Sequence, residues 1–223
     1  MVECPNCGRD YTRLGSHWRS CGYPELTDHQ HEVVTGILMG DGNIDRSNEV
    51  PSVQIRMTNK EYLEYIDDLF GVYSTGVRMV ESAEQASDRL GGDVENYSDQ
   101  YFVRLRASSE FDQYASWYDG GVKVFPDEID LSPTVLKHWY AGDGSLGGYG
   151  GRQPRMRLSA PKEQEHPEKL CNYFVRAGLP EPTLSIQHND FEIRYGSDDT
   201  PVFFDYVGDR VPGFGYKWPD QQA

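Results

Sequence analysis

The sequence predicts an α+β fold built as a tandem duplication behind a short cysteine-rich segment, and three observations predict it. An apolar stretch runs into Gly-Asp-Gly twice, as GILMGDGNI at 36–44 and HWYAGDGSL at 138–146. These place Asp41 and Asp143 102 positions apart, and each is followed by the same order of alternating and helical segments. Residues 4–21 read CPNCGRDYTRLGSHWRSC, three cysteines and a histidine in a stretch too short to bury a core.

That first segment, 1–26, has the spacing C-x2-C-x9-H-x3-C through Cys4, Cys7, His17 and Cys21. The CPNCG run reads as a tight thiolate knuckle, and His17 and Cys21 share one face of a short helix at i, i+4. Three thiolates and an imidazole make a closed tetrahedral Zn2+ site with no vacancy for chemistry. The metal then supplies the stability that so few residues cannot. The bland alternative is free thiols beside a histidine. Arg9, Arg13 and Arg19 make this the basic part of the chain.

The first half, 27–126, opens at Thr27-Asp28-His29-Gln30, a capping box that starts a helix running to the first Gly-Asp-Gly. An alternating strand follows at 52–57. A helix at 60–71 has Thr58 and Glu61 as a second capping box, and strands follow at 76–80 and 101–107. The polar, Gly/Asp/Ser-rich stretch 81–100 reads as a long loop. A helix around 109–119 and Lys123 in VKVFP close the half.

The second half, 127–223, repeats this order. Ser132-Pro133 supplies an N-cap and a first-turn proline. After the second Gly-Asp-Gly come a strand at 154–159, a helix over 161–178, strands at 183–187 and 191–196, a helix at 200–208, and Lys217 in YKWP. Cys171 reads as a core residue of the 161–178 helix. A carboxylate at a helix C-terminus is electrostatically disfavoured, so two in matching places need a reason.

The chain carries 36 acidic against 21 basic residues, a net charge of −15, and arginine outnumbers lysine 15 to 6. Taken whole, that argues against a phosphate-rich partner. An acidic, lysine-poor surface also suits a protein working in high salt. The placement of the arginines is more informative. Strand side chains alternate, which sets Gln54 and Arg56, Arg104 and Arg106, Arg155 and Arg157, and Arg194 opposite apolar neighbours such as Ile55, Leu105, Met156 and Ile193. Such a sheet face suits the DNA major groove, because arginine pairs bidentately with guanine and also contacts phosphates. No apolar run reaches membrane-spanning length and no signal-peptide pattern stands at residue 1, so a cytoplasmic protein is expected.

The two motifs, VTGILMGDG at 34–42 and LKHWYAGDG at 136–144, resemble those of the LAGLIDADG homing endonucleases in their single-chain, two-motif form. The resemblance covers about 27 to 219. It implies a pseudo-twofold αββαββα fold whose motif helices pack side by side, with Gly36, Gly40 and Gly142 as the small residues of the contact. His138 stands where the first motif has Gly36, which implies a wider upper crossing with His138 as a packed, hydrogen-bonded residue. The resemblance further implies that Asp41 and Asp143 meet beneath the DNA minor groove and bind Mg2+ (or Mn2+), and that Lys123 and Lys217 assist near the attacking water or phosphate. The basic residues of the cysteine-rich segment, Arg9, Arg13 and Arg19, fit an accessory DNA contact. The implied activity is site-specific double-strand cleavage by a monomer at a long asymmetric DNA target, and the acidic composition fits a haloarchaeal or haloviral setting. The alternatives are a non-cleaving nucleic-acid-binding relative, a maturase or regulator, and a nickase with unequal half-sites.

Overall fold

A computed structural model describes residues 1–119, 122–148, 154–163, 165–187 and 190–219. The N-terminal segment is a two-strand hairpin, β1 (Val2–Glu3) and β2 (Asp10–Tyr11), followed by the single-turn helix α1 (Trp18–Cys21). It is fastened by aromatic stacking. Trp18 lies 5.5 Å from Tyr23, Tyr23 lies 5.1 Å from Tyr73, and the Tyr73 hydroxyl donates to the Pro24 carbonyl. The segment therefore sits at the start of the first motif helix, at the end remote from Asp41.

That helix, α2 (Asp28–Met39), starts at the capping box read from sequence. Gln30 N–H donates to Thr27 Oγ1 at 3.2 Å, and Thr27 N–H donates to Gln30 Oε1 at 3.0 Å. There follow β3 (Gly42–Asp45), β4 (Ser52–Met57), α3 (Lys60–Phe70), β5 (Arg78–Glu81), α4 (Ala83–Leu90), β6 (Gln100–Leu105) and α5 (Asp112–Ala115). A short pair, β7 (Tyr118–Asp119) and β8 (Val122–Lys123), ends the half. The second half runs α6 (Pro133–Asp143), β9 (Gly144–Gly147), β10 (Arg155–Ser159), α7 (Pro167–Arg176), β11 (Thr183–Gln187), β12 (Asp190–Arg194) and α8 (Thr200–Val207).

Each half carries a four-stranded antiparallel sheet, in the orders β3-β4-β6-β5 and β9-β10-β12-β11. Val53, Ile55, Val103 and Leu105 of one sheet, and Met156, Leu158 and Ile193 of the other, are buried in a single core with the motif helices. Among the described residues no helix is long and apolar enough to cross a membrane.

Several local readings change. The stretch 81–100 contains α4, capped reciprocally by Ser82 and Gln85 and burying Ala86 and Ser87, with a 3-10 turn at Val94–Asn96. Helix α3 is capped by Asn59, whose side chain accepts from Tyr62 N–H at 3.1 Å, and not by Thr58. The expected 161–178 helix begins as a 3-10 turn, Pro161–Glu163, and α-helix starts only at Pro167, because proline lacks the amide an interior position needs. Only Asp112–Ala115, behind a 3-10 turn at Ser109–Phe111, is α-helical in the 109–119 stretch. Cys171 is half-buried, not a core residue. Strands β3 and β9, four residues each, offer too little alternation to be read from the sequence.

Helices α2 and α6 pack along one another. A Cβ placed on Gly36 would lie 2.3 Å from the Val135 carbonyl oxygen and 2.7 Å from His138 Cβ. On Gly40 it would meet Gly142 Cα and the Trp139 carbonyl at an ordinary 3.5 Å. The crossing is thus tightest beside His138, not wider there as expected. The imidazole leaves the contact: His138 Nδ1 is hydrogen-bonded to the Tyr62 hydroxyl at 2.6 Å, and the ring stacks on Tyr65. It is buried as a packed, hydrogen-bonded residue, and burial holds it neutral by lowering its pKa to about 3.

Gly36→Ala is expected to destabilise the protein by roughly 1–3 kcal/mol by overpacking against backbone. Gly40→Ala is expected to cost less, because a Cβ at this cap position meets its neighbours at ordinary van der Waals distance. Urea unfolding of the two variants checks this.

Candidate active site

The two aspartates come together because small residues meet where the motif helices end. Asp41 follows the cap residue Gly40, and Asp143 is the last residue of α6. A Cβ on Gly142 would lie 3.2 Å from the Asp41 amide nitrogen and 3.5 Å from Asp41 Oδ2, so a bare Gly142 admits the Asp41 carboxylate to the end of α6. The glycines after the aspartates serve close approach too. A Cβ on Gly42 would strike Ile37 at 2.5 Å, and one on Gly144 would strike the Tyr140 ring at 2.1 Å.

Each helix end carries one lysine from its own half. Lys123 Nζ donates to the Gly40 and Gly42 carbonyls, both at 2.8 Å, bracketing Asp41. Lys217 Nζ donates to the Ala141 and Gly142 carbonyls at 2.7 and 2.9 Å, next to Asp143. A cation on the last carbonyls of a helix offsets the negative end of its dipole. That compensation is incomplete. Burial first, and then the neighbouring Asp41, push the Asp143 carboxyl up to about 7, against the pull of both lysines. Burial also holds Lys217 below the usual lysine range, while the two aspartates oppose that shift.

Two neighbouring carboxylates beside half-buried lysines offer oxygen donors that fit a hard divalent cation, which prefers oxygen ligands. A cavity of about 180 Å³ opens beside them, lined by Met39, Gly40, Lys123, Asp143, Ser159 and Pro161 among others.

The N-terminal cluster fits a different metal. The ligand atoms of Cys4, Cys7, His17 and Cys21 all lie within 4.8 Å of one another. Cys4 Sγ and Cys21 Sγ are 3.8 Å apart, and Cys7 Sγ and His17 Nε2 are 3.5 Å apart. Tetrahedral Zn2+ with its usual bond lengths sets sulfur–sulfur edges of about 3.8 Å and sulfur–nitrogen edges of about 3.5 Å. The Arg9 amide draws the Cys7 thiol down to about 6, whereas desolvation and the neighbouring thiols drive Cys21 up to about 11. Such a set ionises fully only around a cation. Its docking at the start of α2 places it away from the aspartates. The Arg19 side chain lies outside what is described.

The arginine faces form, but with carboxylate partners that the sequence reading missed. In the first sheet Gln54 stands opposite Arg104, and Arg56 opposite Phe102. Asp45 on β3 pairs with Arg104 and accepts from Gln54 Nε2 at 2.6 Å. Glu81 on β5 pairs with Arg56 at 2.7 Å and with Arg89 at 2.8 Å. Arg106 lies one residue beyond the end of β6, with its amide on the Tyr73 carbonyl and its Nε on the Val72 carbonyl at 3.3 Å. In the second sheet Arg157 stands opposite Arg194, Arg155 opposite Gly147, and Glu192 pairs with Arg194. Asp45 was hidden because β3 itself was not read.

The raised Asp143 pKa carries a sign. A carboxyl that stays protonated in the metal-free fold up to about 7, but ionises near 4 when unfolded, costs stability as pH rises through that window. Without added Mg2+, Asp143→Asn is expected to melt above the wild type at pH 8, with the difference vanishing below about pH 4. Melting curves across that range check it.

The sequence profile of the LAGLIDADG DNA endonuclease family matches residues 31–203. Among curated proteins, a protein RecA of Mycobacterium shimoidei is 34% identical over 128 residues, 54% of this chain and 27% of that protein. An uncharacterised protein of Methanocaldococcus jannaschii is 27% identical over 124 residues, 54% of this chain and 45% of that protein. The chain thus spans less than half the length of these relatives. Among solved structures, the homing endonuclease I-WcaI bound to its DNA recognition sequence superposes with a TM-score of 0.78 at 19% identity, covering 95% of each chain. I-SmaMI bound to uncleaved DNA target in the presence of calcium ions gives 0.52 at 13% identity, covering 86% of this chain and 87% of that one. These likenesses extend the fold across nearly all of the chain. With the profile matched over most of its length and both motif helices meeting at their aspartates, the chain belongs to the LAGLIDADG DNA endonuclease family.

Proposed function

We propose that this chain is a metal-dependent endonuclease that cuts both strands of double-stranded DNA at a long asymmetric site. The observation that carries the reading is the paired helix ends: Asp41 and Asp143 brought together, each with a lysine seated on the carbonyls beside it. Mg2+ or Mn2+ held there would polarise a scissile phosphate and lower the pKa of a bound water. Asp41 and Asp143 supply hard oxygen ligands. Lys123 and Lys217 hold positive charge where phosphate oxygens would arrive.

Gln54, Arg56, Arg104, Arg155, Arg157 and Arg194 would contact DNA from the two sheets, and their unequal patterns suit an asymmetric target. Because Asp45, Glu81 and Glu192 already occupy three of these arginines, phosphate must compete with carboxylate. That weakens non-specific binding and favours base contacts, as does the high-salt setting that the acidic composition suits. Two motifs in one chain complete the site without a second copy, which supports a monomer. Zn2+ on Cys4, Cys7, His17 and Cys21 would be structural, holding the segment that stacks on Tyr73.

The deciding experiment selects cleavage sites from a randomised DNA library with Mg2+ at high KCl, then tests variants on a supercoiled plasmid bearing the selected site. Wild-type protein is expected to linearise it, and Asp41→Asn and Asp143→Asn are each expected to slow cleavage at least about 100-fold while still binding DNA. Binding without cleavage by the wild type would identify a non-cleaving relative, and exclusive nicking a nickase. Elemental analysis is expected to find one zinc per chain. Cys21→Ser is expected to lose it and to expose Trp18 to solvent, seen as a red shift in fluorescence. A zinc-free protein with Trp18 still buried would contradict the structural-zinc assignment.

A further inference from the structure

Glu163 and Lys169 form an ion pair in the second half with an Oε2–Nζ separation of 2.7 Å, the glutamate side chain 1% and the lysine 12% exposed. Burying two charges is costly, and similar pairs can often be replaced by apolar residues without loss. Here both head groups also act on a single residue of the first half. Phe125 N–H donates to Glu163 Oε1 at 2.7 Å, and Lys169 Nζ donates to the Phe125 carbonyl at 2.8 Å. Phe125 thus has its amide and its carbonyl held by one salt bridge, while its ring packs edge-on against Trp139, one turn before Asp143.

Two residues earlier in the chain stands Lys123, on the Gly40 and Gly42 carbonyls around Asp41. Its strand, β8, is two residues long, and its neighbours Val122 and Val124 are exposed. Lys217 is held differently. The Tyr140 hydroxyl donates to its carbonyl at 2.8 Å, and Trp218 Nε1 donates to the Gly208 carbonyl at 3.1 Å, both uncharged and within the second half.

The geometry points to Glu163 and Lys169 as positioning residues: a clamp from the second half that sets Lys123 at the first motif's aspartate, with no charged counterpart at Lys217 among the described residues. The inference rests on the endonuclease reading for its catalytic consequence. Its structural part stands apart from that reading. Disturbing the clamp displaces one of the two lysines and therefore impairs one of the two strand cuts.

The test uses full-length protein and a selected target with each strand end-labelled. Glu163→Ala is expected to slow cleavage of one strand about 10- to 100-fold while the other strand and DNA affinity change little, so nicked circles accumulate. Glu163→Gln, which keeps an acceptor for Phe125 N–H, is expected to recover most of the lost rate. Because Glu163→Ala strands a buried Lys169, the double variant Glu163→Leu/Lys169→Met removes both charges and is expected to fold and to show the same strand bias. Equal slowing of both strands, no slowing, or a Gln variant no better than Ala would overturn the inference. Hydrogen exchange of the 122–125 amides gives a readout independent of cleavage: faster exchange in the Ala and double variants, near-wild-type exchange in Gln. If the wild type cuts neither strand, the endonuclease reading fails by itself, and unchanged exchange at 122–125 would overturn the clamp as well.

Discussion

The close approach of α2 and α6 is the constraint on which the rest depends. Without side chains at Gly36, Gly40 and Gly142, the two backbones come near enough for their C-terminal ends to share one location. Everything at the candidate centre follows from that contact. The aspartates end next to one another, the first strand of each sheet starts directly after its aspartate, and a single core runs through both halves. His138 is compatible with it because only its Cβ enters the contact, while Tyr62 and Tyr65 take the ring.

Charge at this contact is arranged in layers. Two helix ends and two carboxylates concentrate negative potential, two lysines offset part of it, and the residual strain appears as the raised pKa of Asp143. Lys123 is in turn attached to a segment held by Glu163 and Lys169. On the sheet faces the same acidic composition pairs arginines with Asp45, Glu81 and Glu192. The net charge of −15 is thus partly built into the would-be binding faces, not spread only over solvated surface.

The duplication, the capping box at Thr27, the N-cap at Ser132, the inward faces of the strands and the Cys4–Cys7–His17–Cys21 set were legible because each rests on local spacing or period. The misreadings share a physical cause. At 58–61 two overlapping caps compete, and Asn59 prevails over Thr58. At 161–167 a second proline interrupts what periodicity alone would continue. At 81–100 a polar composition hides a helix whose buried face is only Ala86 and Ser87, too small to register as an apolar stripe.

The sequence by itself determined that two Gly-Asp-Gly helix ends exist, that strand arginines lie opposite apolar residues, and that four thiol and imidazole groups have zinc spacing. These are consequences of bonded geometry and of the helix and strand periods. Only the tertiary structure decided that the crossing is tightest at Gly36, that each lysine sits on carbonyls of its own half's motif, and that Glu163 and Lys169 grip Phe125 from the other half. It also decided that Asp45 and Glu81 occupy the arginines facing them. Those facts depend on contacts between segments far apart in the chain, where packing distance and burial, not local spacing, fix which charges meet.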